Sequence, residues 1–246
     1  MIENQVDIAT RDGATTTFVV HPDRDGPHPV ILFFMDAPAI REELRDMARR
    51  LASSGYYVML PNLYYRSGVM EIGPIPPDPD HPARKQMFQL MNSLNIDLVM
   101  ADAEALLAHA AADPAADDSR VGAVGYCMSG RYAASLAARH PERVLAAASI
   151  YGTHLVTEFP DSPHRTAREG RAEYYFACAE EDVWAPPETI TALSEALKAD
   201  RVDAEVEVYP GTKHGFAFPQ RPVYDKAAAE RHWERLNSLF RRKLGG

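Results

Sequence analysis

Between residues 121 and 137 the chain reads VGAVGYCMSGRYAASLA, a short apolar run that breaks at one cysteine and resumes as an alanine-rich helical pattern. The apolar run is typical of a strand that is buried on both faces. Small residues flank Cys127: Gly125 lies two positions before it, and Ser129 and Gly130 follow. Small residues let a strand and a helix pass close together beside a sharp turn. The stretch therefore predicts strand, turn and helix, with a thiol at the tip.

This pattern resembles the nucleophile elbow G-x-S-x-G of α/β-hydrolases, in which the turn exposes the nucleophile above the sheet. Cys127 takes the place of the nucleophilic serine, and Ser129 stands where the second glycine is usual. The unpaired N–H groups and the dipole at a helix N-terminus favour a thiolate there. They also suit the oxyanion of a tetrahedral intermediate, with the Met128 N–H as first donor. The alternative is a structural cysteine, because free cysteines are among the most buried residues.

Composition limits the possible partners and location. The 246 residues suit one large α/β domain spanning 1–246. A net charge of −9 argues against nucleic acid or an anionic membrane as a partner. Two cysteines are too few for a disulfide framework. No signal-peptide pattern opens the chain, and no apolar segment approaches the roughly 18 residues of a membrane span. We therefore expect a soluble, cytoplasmic protein.

Strands and helices are predicted to alternate along most of the chain. Strands are predicted at 6–9, 15–20, 30–34, 57–61, 121–126, 144–151, 174–179 and 204–208. Helices are predicted at 42–54, 86–112 with a candidate break near 92–95, 131–137, 187–199 and 224–244. The Asp-Gly turn between the first two strands favours an antiparallel hairpin. We expect an α/β-hydrolase fold: a mainly parallel central sheet with helices on both faces and an antiparallel N-terminal edge. The long irregular stretch at 62–82 is typical of a functional loop.

An acidic group for the site is expected directly after a strand, because α/β-hydrolases order their residues nucleophile, acid, base. Glu180, Glu181 and Asp182 follow the strand predicted to end at residue 179. We favour Asp182, because the acid must accept from the imidazole at short range with a fixed rotamer. Glu180 and Glu181 remain substitute acids or solvated charges. Asp182 could instead cap the next helix.

The base is expected in the loop after the last strand, where His214 stands beside Gly215. His232 also follows the acid, but it falls within the closing helix, which makes it a poor base for a site at the strand ends. A lone histidine in a loop is commonly a solvated surface group. The position after the final strand favours the catalytic interpretation of His214.

These roles imply nucleophilic catalysis. His214 takes the proton of Cys127, Asp182 holds the imidazole tautomer, and the thiolate attacks an ester or lactone carbonyl. The loop after the strand at 30–34 is expected to supply a second oxyanion donor, the Ala37 N–H. Water then cleaves the thioester with His214 again as base.

Three segments together resemble the dienelactone hydrolase (carboxymethylenebutenolidase) family: GYCMSG at 125–130, EDVWAP at 181–186 and KHGFA at 213–217. Their order and spacing match over nearly the whole chain. The resemblance implies a Cys-Asp-His triad and no cofactor or metal. It also implies a monomer, with a weak homodimer left open, that hydrolyses lactones formed during degradation of aromatic compounds.

Two departures from that family concern the substrate. Its best-studied members pair the resting thiol with a glutamate after the strand before the first helix, and here Asp36, one methylene shorter, is expected in that role. They also carry an arginine for the substrate carboxylate two residues after the Phe of the His-x-Phe motif, where this chain has Phe218. Arg84 and Arg221 are the alternative candidates. The hydrolase class is therefore better supported than the dienelactone substrate.

Aromatic residues near the predicted site suggest a partly apolar pocket. The candidates for substrate contact are Tyr64, Tyr65, Trp184, Phe216 and Phe218. Packing in the core explains each of them equally well.

Other functions remain open on the same scaffold. One is an acyl transferase or a dehalogenase-type enzyme of this fold. Another is a non-catalytic protein that uses Cys127 to bind a ligand or to sense oxidants. Metal catalysis is not indicated, because the histidines have no paired-ligand spacing.

Overall fold

The computed structural model describes residues 1–76 and 78–245, so Pro77, part of the predicted irregular stretch, lies outside the described residues. The strands are β1 (Ile2–Thr10), β2 (Gly13–His21), β3 (His28–Phe34), β4 (Tyr57–Pro61), β5 (Ala116–Tyr126), β6 (Val144–Ile150), β7 (Glu173–Glu181) and β8 (Ala204–Lys213). The α-helices are α1 (Glu42–Ala52), α2 (Pro82–Asn92), α3 (Ile96–Ala112), α4 (Gly130–Arg139), α5 (Pro163–Thr166), α6 (Pro187–Ala199) and α7 (Lys226–Leu244). Short 3₁₀ turns occupy Tyr65–Ser67, Cys127–Ser129 and Ala167–Glu169.

The strands form one eight-stranded sheet in the order β1-β2-β4-β3-β5-β6-β7-β8. β1 pairs with β2, and β2 with β4, in antiparallel register, whereas the neighbours from β4 to β8 are parallel. The prediction of an α/β-hydrolase fold with an antiparallel N-terminal edge is therefore confirmed. None of the helices in the described ranges is both long and apolar enough to cross a membrane.

The middle of the sheet is covered closely on both faces, as its apolar composition predicts. All seven residues of β3 are buried. On one face α7 approaches β5 so closely that a Cβ on Gly122 would lie 2.9 Å from Leu244 Cδ1 and 3.0 Å from Phe240 Cε1. Gly122 thus allows the closing helix to pack its buried face directly on the strand that leads to Cys127.

The structure refines several predicted boundaries. The helix predicted at 86–112 is two helices, and the break lies at the candidate position, where the Asn95 side chain accepts from the Leu98 N–H at 2.9 Å and begins α3. β8 extends beyond residue 208 to Lys213 and includes Pro210, which is tolerated because β8 is an edge strand. The irregular region after β6 also contains the unpredicted short helix α5.

The turn at Cys127 depends on the absence of side chains beside it. Cys127 has a φ of 56°, in the left-handed region that L-residues rarely adopt. A Cβ on Gly125 would lie 2.0 Å from the Ser129 carbonyl oxygen, and one on Gly130 would lie 2.2 Å from Ser149 Oγ. Both positions therefore require glycine.

Ser129 is accommodated because its hydroxyl has a partner. Its Oγ donates to the Met35 carbonyl oxygen at 2.5 Å, which ties the turn to the end of β3. The Thr153 N–H donates to the Cys127 carbonyl oxygen at 3.1 Å and ties it to the loop after β6. The departure from G-x-S-x-G at this position thus adds a link between neighbouring loops.

Replacing Gly125 with alanine should destabilise the protein strongly, because the new Cβ would overlap main-chain atoms that cannot move independently. We expect the free energy of unfolding, measured by urea denaturation, to fall by roughly 3 kcal/mol or more. Gly68→Ala is the control: no atom of the described residues lies within 4 Å of its Cβ position, so its cost comes from its positive φ of 67° and not from overlap. Its cost should be about 1 kcal/mol. Equal losses in the two variants would contradict the steric explanation.

Candidate active site

Three predicted site residues lie at one edge of the sheet. Cys127 follows β5, Asp182 follows β7, and His214 follows β8. Because these strands run parallel, their carboxyl ends meet at the same edge, where open α/β sheets bind ligands. Residues far apart in the chain therefore share one site.

Asp182 fixes the orientation of His214. Its Oδ2 lies 2.7 Å from His214 Nδ1, and its Oδ1 accepts from the Trp184 N–H at 2.9 Å. The Asp182 side chain is only 1% exposed. With Nδ1 facing a carboxylate, the ring presents Nε2 to the site. That atom is buried and makes no hydrogen bond of ordinary geometry within the described residues.

The two neighbouring glutamates make other contacts. Glu180 Oε2 accepts from the Gly211 N–H at 2.7 Å, and Glu181 lies 3.5 Å from the Lys213 ammonium. Both are exposed at the end of β7. Of the three acidic candidates, Asp182 is the one that meets the imidazole.

The charge state of His214 reflects two opposed effects. Burial lowers its pKa, but the negative charge of a Cys127 thiolate and the hydrogen bond to Asp182 outweigh burial and raise the pKa to about 10. His232, the rejected alternative base, is fully buried in α7, and burial lowers its pKa to about 3. Its Nε2 contacts the Tyr126 hydroxyl at 3.0 Å, and its Nδ1 contacts the Ala229 carbonyl oxygen. His232 is therefore a neutral packing residue.

Cys127 and His214 both line a cleft of about 670 Å³. Cys127 is half-buried, so its thiol is accessible from this cleft. The other walls come from the loop after β3, the stretch at 71–75, helix α2, the loop after β6 and the residues at 220–223. Within residues 1–76 and 78–245, no group of three or more His, Cys, Asp or Glu side chains is arranged to hold a metal ion.

The two candidate oxyanion donors belong to the loop after β3 and to the turn that holds Cys127. Ala37 lines the cleft, and Met128 occupies the first turn after β5, where helical N–H groups are unpaired. Tyr64 is buried beneath both: its hydroxyl donates to the Ala37 carbonyl oxygen at 2.9 Å and contacts Met128 Sδ at 3.5 Å. Tyr64 therefore packs beneath this region. It does not line the cleft, so it has the packing role and not the predicted role of substrate contact.

The structure places Asp36 against two arginines rather than against the thiol. Its buried carboxylate accepts from Arg41 Nη1 at 2.6 Å and from Arg221 Nη2 at 2.5 Å. No hydrogen bond in the described residues links it to Cys127. Two guanidinium groups satisfy a buried carboxylate better than one thiol does. The expectation of a thiol-pairing Asp36 is corrected accordingly.

Phe218 contacts the same two arginines. The Arg41 and Arg221 guanidinium carbons lie 4.8 and 4.9 Å from its ring centroid. The ring is fully buried and does not line the cleft. Arg41 lines the cleft but was missed by sequence reasoning, because its only signal was its proximity to Asp36 in the chain.

The remaining predicted contacts are divided between the cleft and the core. Arg84 and Trp184 line the cleft. Tyr65 does not: its hydroxyl donates to Asp102 at 2.8 Å, away from the site. Phe216 is fully buried and stacks on Tyr209 with ring centroids 4.9 Å apart. Phe216 therefore packs in the core, whereas Tyr65 is half-buried and fits neither the cleft nor the core interpretation.

The parallel sheet, with these three residues at its carboxyl edge, defines an α/β-hydrolase. Residues 15–244 match the model of the dienelactone hydrolase family, and the chain belongs to that family. It is accordingly a dienelactone hydrolase-like hydrolase.

Individual relatives are similar to this chain over nearly its full length. A protein of Methylorubrum extorquens named "Putative carboxymethylenebutenolidase" is 30% identical over 246 residues, covering 98% of this chain and 81% of the relative. A protein of the same name from Escherichia coli K12 is 30% identical over 227 residues, covering 90% and 79%. The crystal structure of a "Putative Dienelactone Hydrolase" from Klebsiella pneumoniae superposes with a TM-score of 0.86 at 27% identity, covering 97% of this chain and 98% of that one.

Removing the thiol should lower the pKa of His214, because the thiolate charge is one of the forces that raise it. An NMR titration of the imidazole protons should give a midpoint near pH 10 in the unmodified protein and a lower midpoint in Cys127→Ala. Asp182→Asn should lower it as well. His232 is an internal reference that stays neutral above about pH 4 in all three proteins. An unchanged His214 midpoint in Cys127→Ala would contradict this electrostatic account.

Proposed function

We propose that this protein hydrolyses a carboxylic ester or lactone with Cys127 as nucleophile, His214 as general base and Asp182 as the group that orients His214. The observation that carries the proposal is the 2.7 Å contact between Asp182 Oδ2 and His214 Nδ1, which orients a histidine that lines the same cleft as Cys127. That contact leaves Nε2 as the nitrogen available to exchange a proton with the thiol.

Acylation begins from the ion pair in which His214 Nε2 holds the proton taken from Cys127 Sγ, a state that the raised pKa of His214 favours. The thiolate attacks the carbonyl carbon, and the N–H groups of Met128 and Ala37 bind the resulting oxyanion. When the tetrahedral intermediate collapses, the bond to the leaving oxygen breaks and His214 returns its proton to that oxygen. Asp182 stabilises the imidazolium in between.

Deacylation repeats these roles with water as the nucleophile. His214 removes a proton from water, and the hydroxide attacks the thioester carbonyl. Collapse of this second intermediate releases the carboxylic acid and returns the proton to Cys127. For a lactone, both product groups stay in one molecule, because the leaving oxygen remains tethered to the acyl group.

The proposed partner is thus a small-molecule ester or lactone, and the family name supports a lactone as one form of substrate. The net charge of −9 disfavours nucleic acid and anionic membranes as partners. We place the protein in the cytoplasm, acting as a monomer or weak homodimer.

Hydrolysis of p-nitrophenyl acetate tests the triad. Cys127→Ala and His214→Ala should each lower kcat/KM by at least about a thousandfold, because each removes a group required for bond formation. Cys178→Ala is the matched control: Cys178 is the other cysteine, is buried, and has a pKa raised by burial to about 12. It should retain activity.

Mass spectrometry after an acid quench should find the acyl group on Cys127 and not on Cys178. Full activity in Cys127→Ala would refute the mechanism. Efficient acyl capture by added alcohol would instead favour acyl transfer, and halide release would favour a dehalogenase. Ligand binding without turnover, unaffected by His214→Ala, would favour a non-catalytic role.

A further inference from the structure

One face of α2 is turned to the cleft. Arg84, Met87, Phe88 and Met91 are spaced i, i+3, i+4 and i+7, so they lie on the same side of the helix, and all four line the cleft. Three of the four are apolar. Gln89 lies on the other side and is exposed. The apolar face of α2 therefore forms a wall of the cleft.

The same apolar wall continues onto other segments. The Trp184 ring lies 5.9 Å from that of Phe88, and Ile75 lines the adjoining part of the cleft. Trp184 is 47% exposed, although large aromatic side chains are usually covered. Methionine side chains are unbranched and polarisable, so Met87 and Met91 can adapt to apolar groups of different shape. This surface suits an apolar chain or ring.

The cleft is larger than a small ring needs. A cavity of about 150 Å³ is enough to hold benzene, whereas this cleft measures about 670 Å³. Its size falls within the range of roughly 300–1,000 Å³ that is typical of sites for drug-sized ligands. A single five-membered lactone would leave most of the apolar wall uncovered.

Two of the arginines that line the cleft, Arg41 and Arg221, are already paired with carboxylates. Arg41 contacts Asp36 at 2.6 Å and Glu43 at 2.8 Å, and Arg221 contacts Asp36 at 2.5 Å. The charges of Arg41 and Arg221 are thus balanced by the carboxylates of Asp36 and Glu43, and both carboxylates are buried. An incoming substrate carboxylate would have to compete with partners that are already desolvated. Arg41 and Arg221 therefore offer little net positive charge to an anionic substrate. The third arginine of the cleft, Arg84, makes no salt bridge within the described residues, and its guanidinium carbon lies 5.7 Å from the Phe88 ring centroid.

We infer that the substrate is a neutral ester that carries an extended apolar group, and that this group lies along the Met87, Phe88 and Met91 face of α2. The inference rests on the proposed hydrolysis at Cys127 and names the class of ester that this site takes. It also assigns α2 a role in selecting the substrate.

A series of p-nitrophenyl esters from acetate to octanoate tests the apolar wall. We expect kcat/KM to rise about twofold to fourfold for each added CH₂ until the wall is covered. A parallel series of alkyl acetates shows whether the apolar group belongs to the acid or to the alcohol, and a rise in either series supports the inference. Falling or flat kcat/KM in both series would overturn it.

A matched pair of substrates tests charge. The p-nitrophenyl ester of hexanoic acid and the mono-p-nitrophenyl ester of adipic acid have chains of equal length, but the second ends in a carboxylate. We expect the neutral ester to be preferred at least tenfold. Preference for the adipate would mean that an arginine such as Arg84 binds an anion, and the inference would be wrong.

A matched pair of variants locates the effect on α2. Met91→Gln keeps the length of the side chain but makes it polar, and it should lower the ratio of kcat/KM for octanoate over acetate about tenfold. Gln89→Met makes the reverse change on the exposed side and should leave that ratio unchanged. If the octanoate-to-acetate ratio of kcat/KM were equal in both variants, α2 would have no role in selecting the substrate.

These outcomes separate the inference from the proposed function. Turnover of acetate that depends on Cys127, without any gain from longer chains, would leave the hydrolase intact and overturn the inference. Absence of turnover with every ester would refute the proposed function itself.

Discussion

The structure depends on one close approach, between the end of β5 and the first turn of α4. Cys127 adopts a left-handed φ of 56°, and the Cβ position of Gly125 lies 2.0 Å from the Ser129 carbonyl oxygen. An alanine at 125 could not coexist with that backbone. The tight turn places the thiol outside the carboxyl end of the sheet, where the loops after β7 and β8 begin. The hydrogen bond from Ser129 to Met35 then fixes the loop after β3 to the same turn.

Sequence reasoning located this region well because chain order carries most of the information. Parallel strands end at one edge, so Cys127, Asp182 and His214 could be brought together from the positions of three strands alone. The contact of Asp182 with His214 depends only on two loops that each follow a strand directly. The contacts of Asp36 could not be predicted in this way. Its partner Arg221 lies 185 residues away, and no local pattern indicates which loop folds back over the end of β3.

The aromatic residues show a second limit of sequence reasoning. Tyr64, Tyr65, Phe216 and Trp184 all stand near the ends of strands, yet of these only Trp184 lines the cleft. A side chain's position near a site does not determine its direction, which depends on the φ and ψ of loops and on what packs beneath them. The spacing of Met87, Phe88 and Met91 was present in the sequence, but an apolar helical face predicts a core contact as readily as a cleft wall.

Two buried carboxylates in this protein have different consequences because their partners differ. Asp36 contacts two guanidinium groups, so its negative charge is offset. Asp182 contacts one imidazole, whose own charge depends on protonation, so its negative charge favours the imidazolium. Carboxylates in environments as different as these two have different roles in a protein. The arginine pair therefore has an indirect effect: because it engages Asp36, that carboxylate is bound away from the thiol, and the charges of Arg41 and Arg221 are offset within the cleft wall.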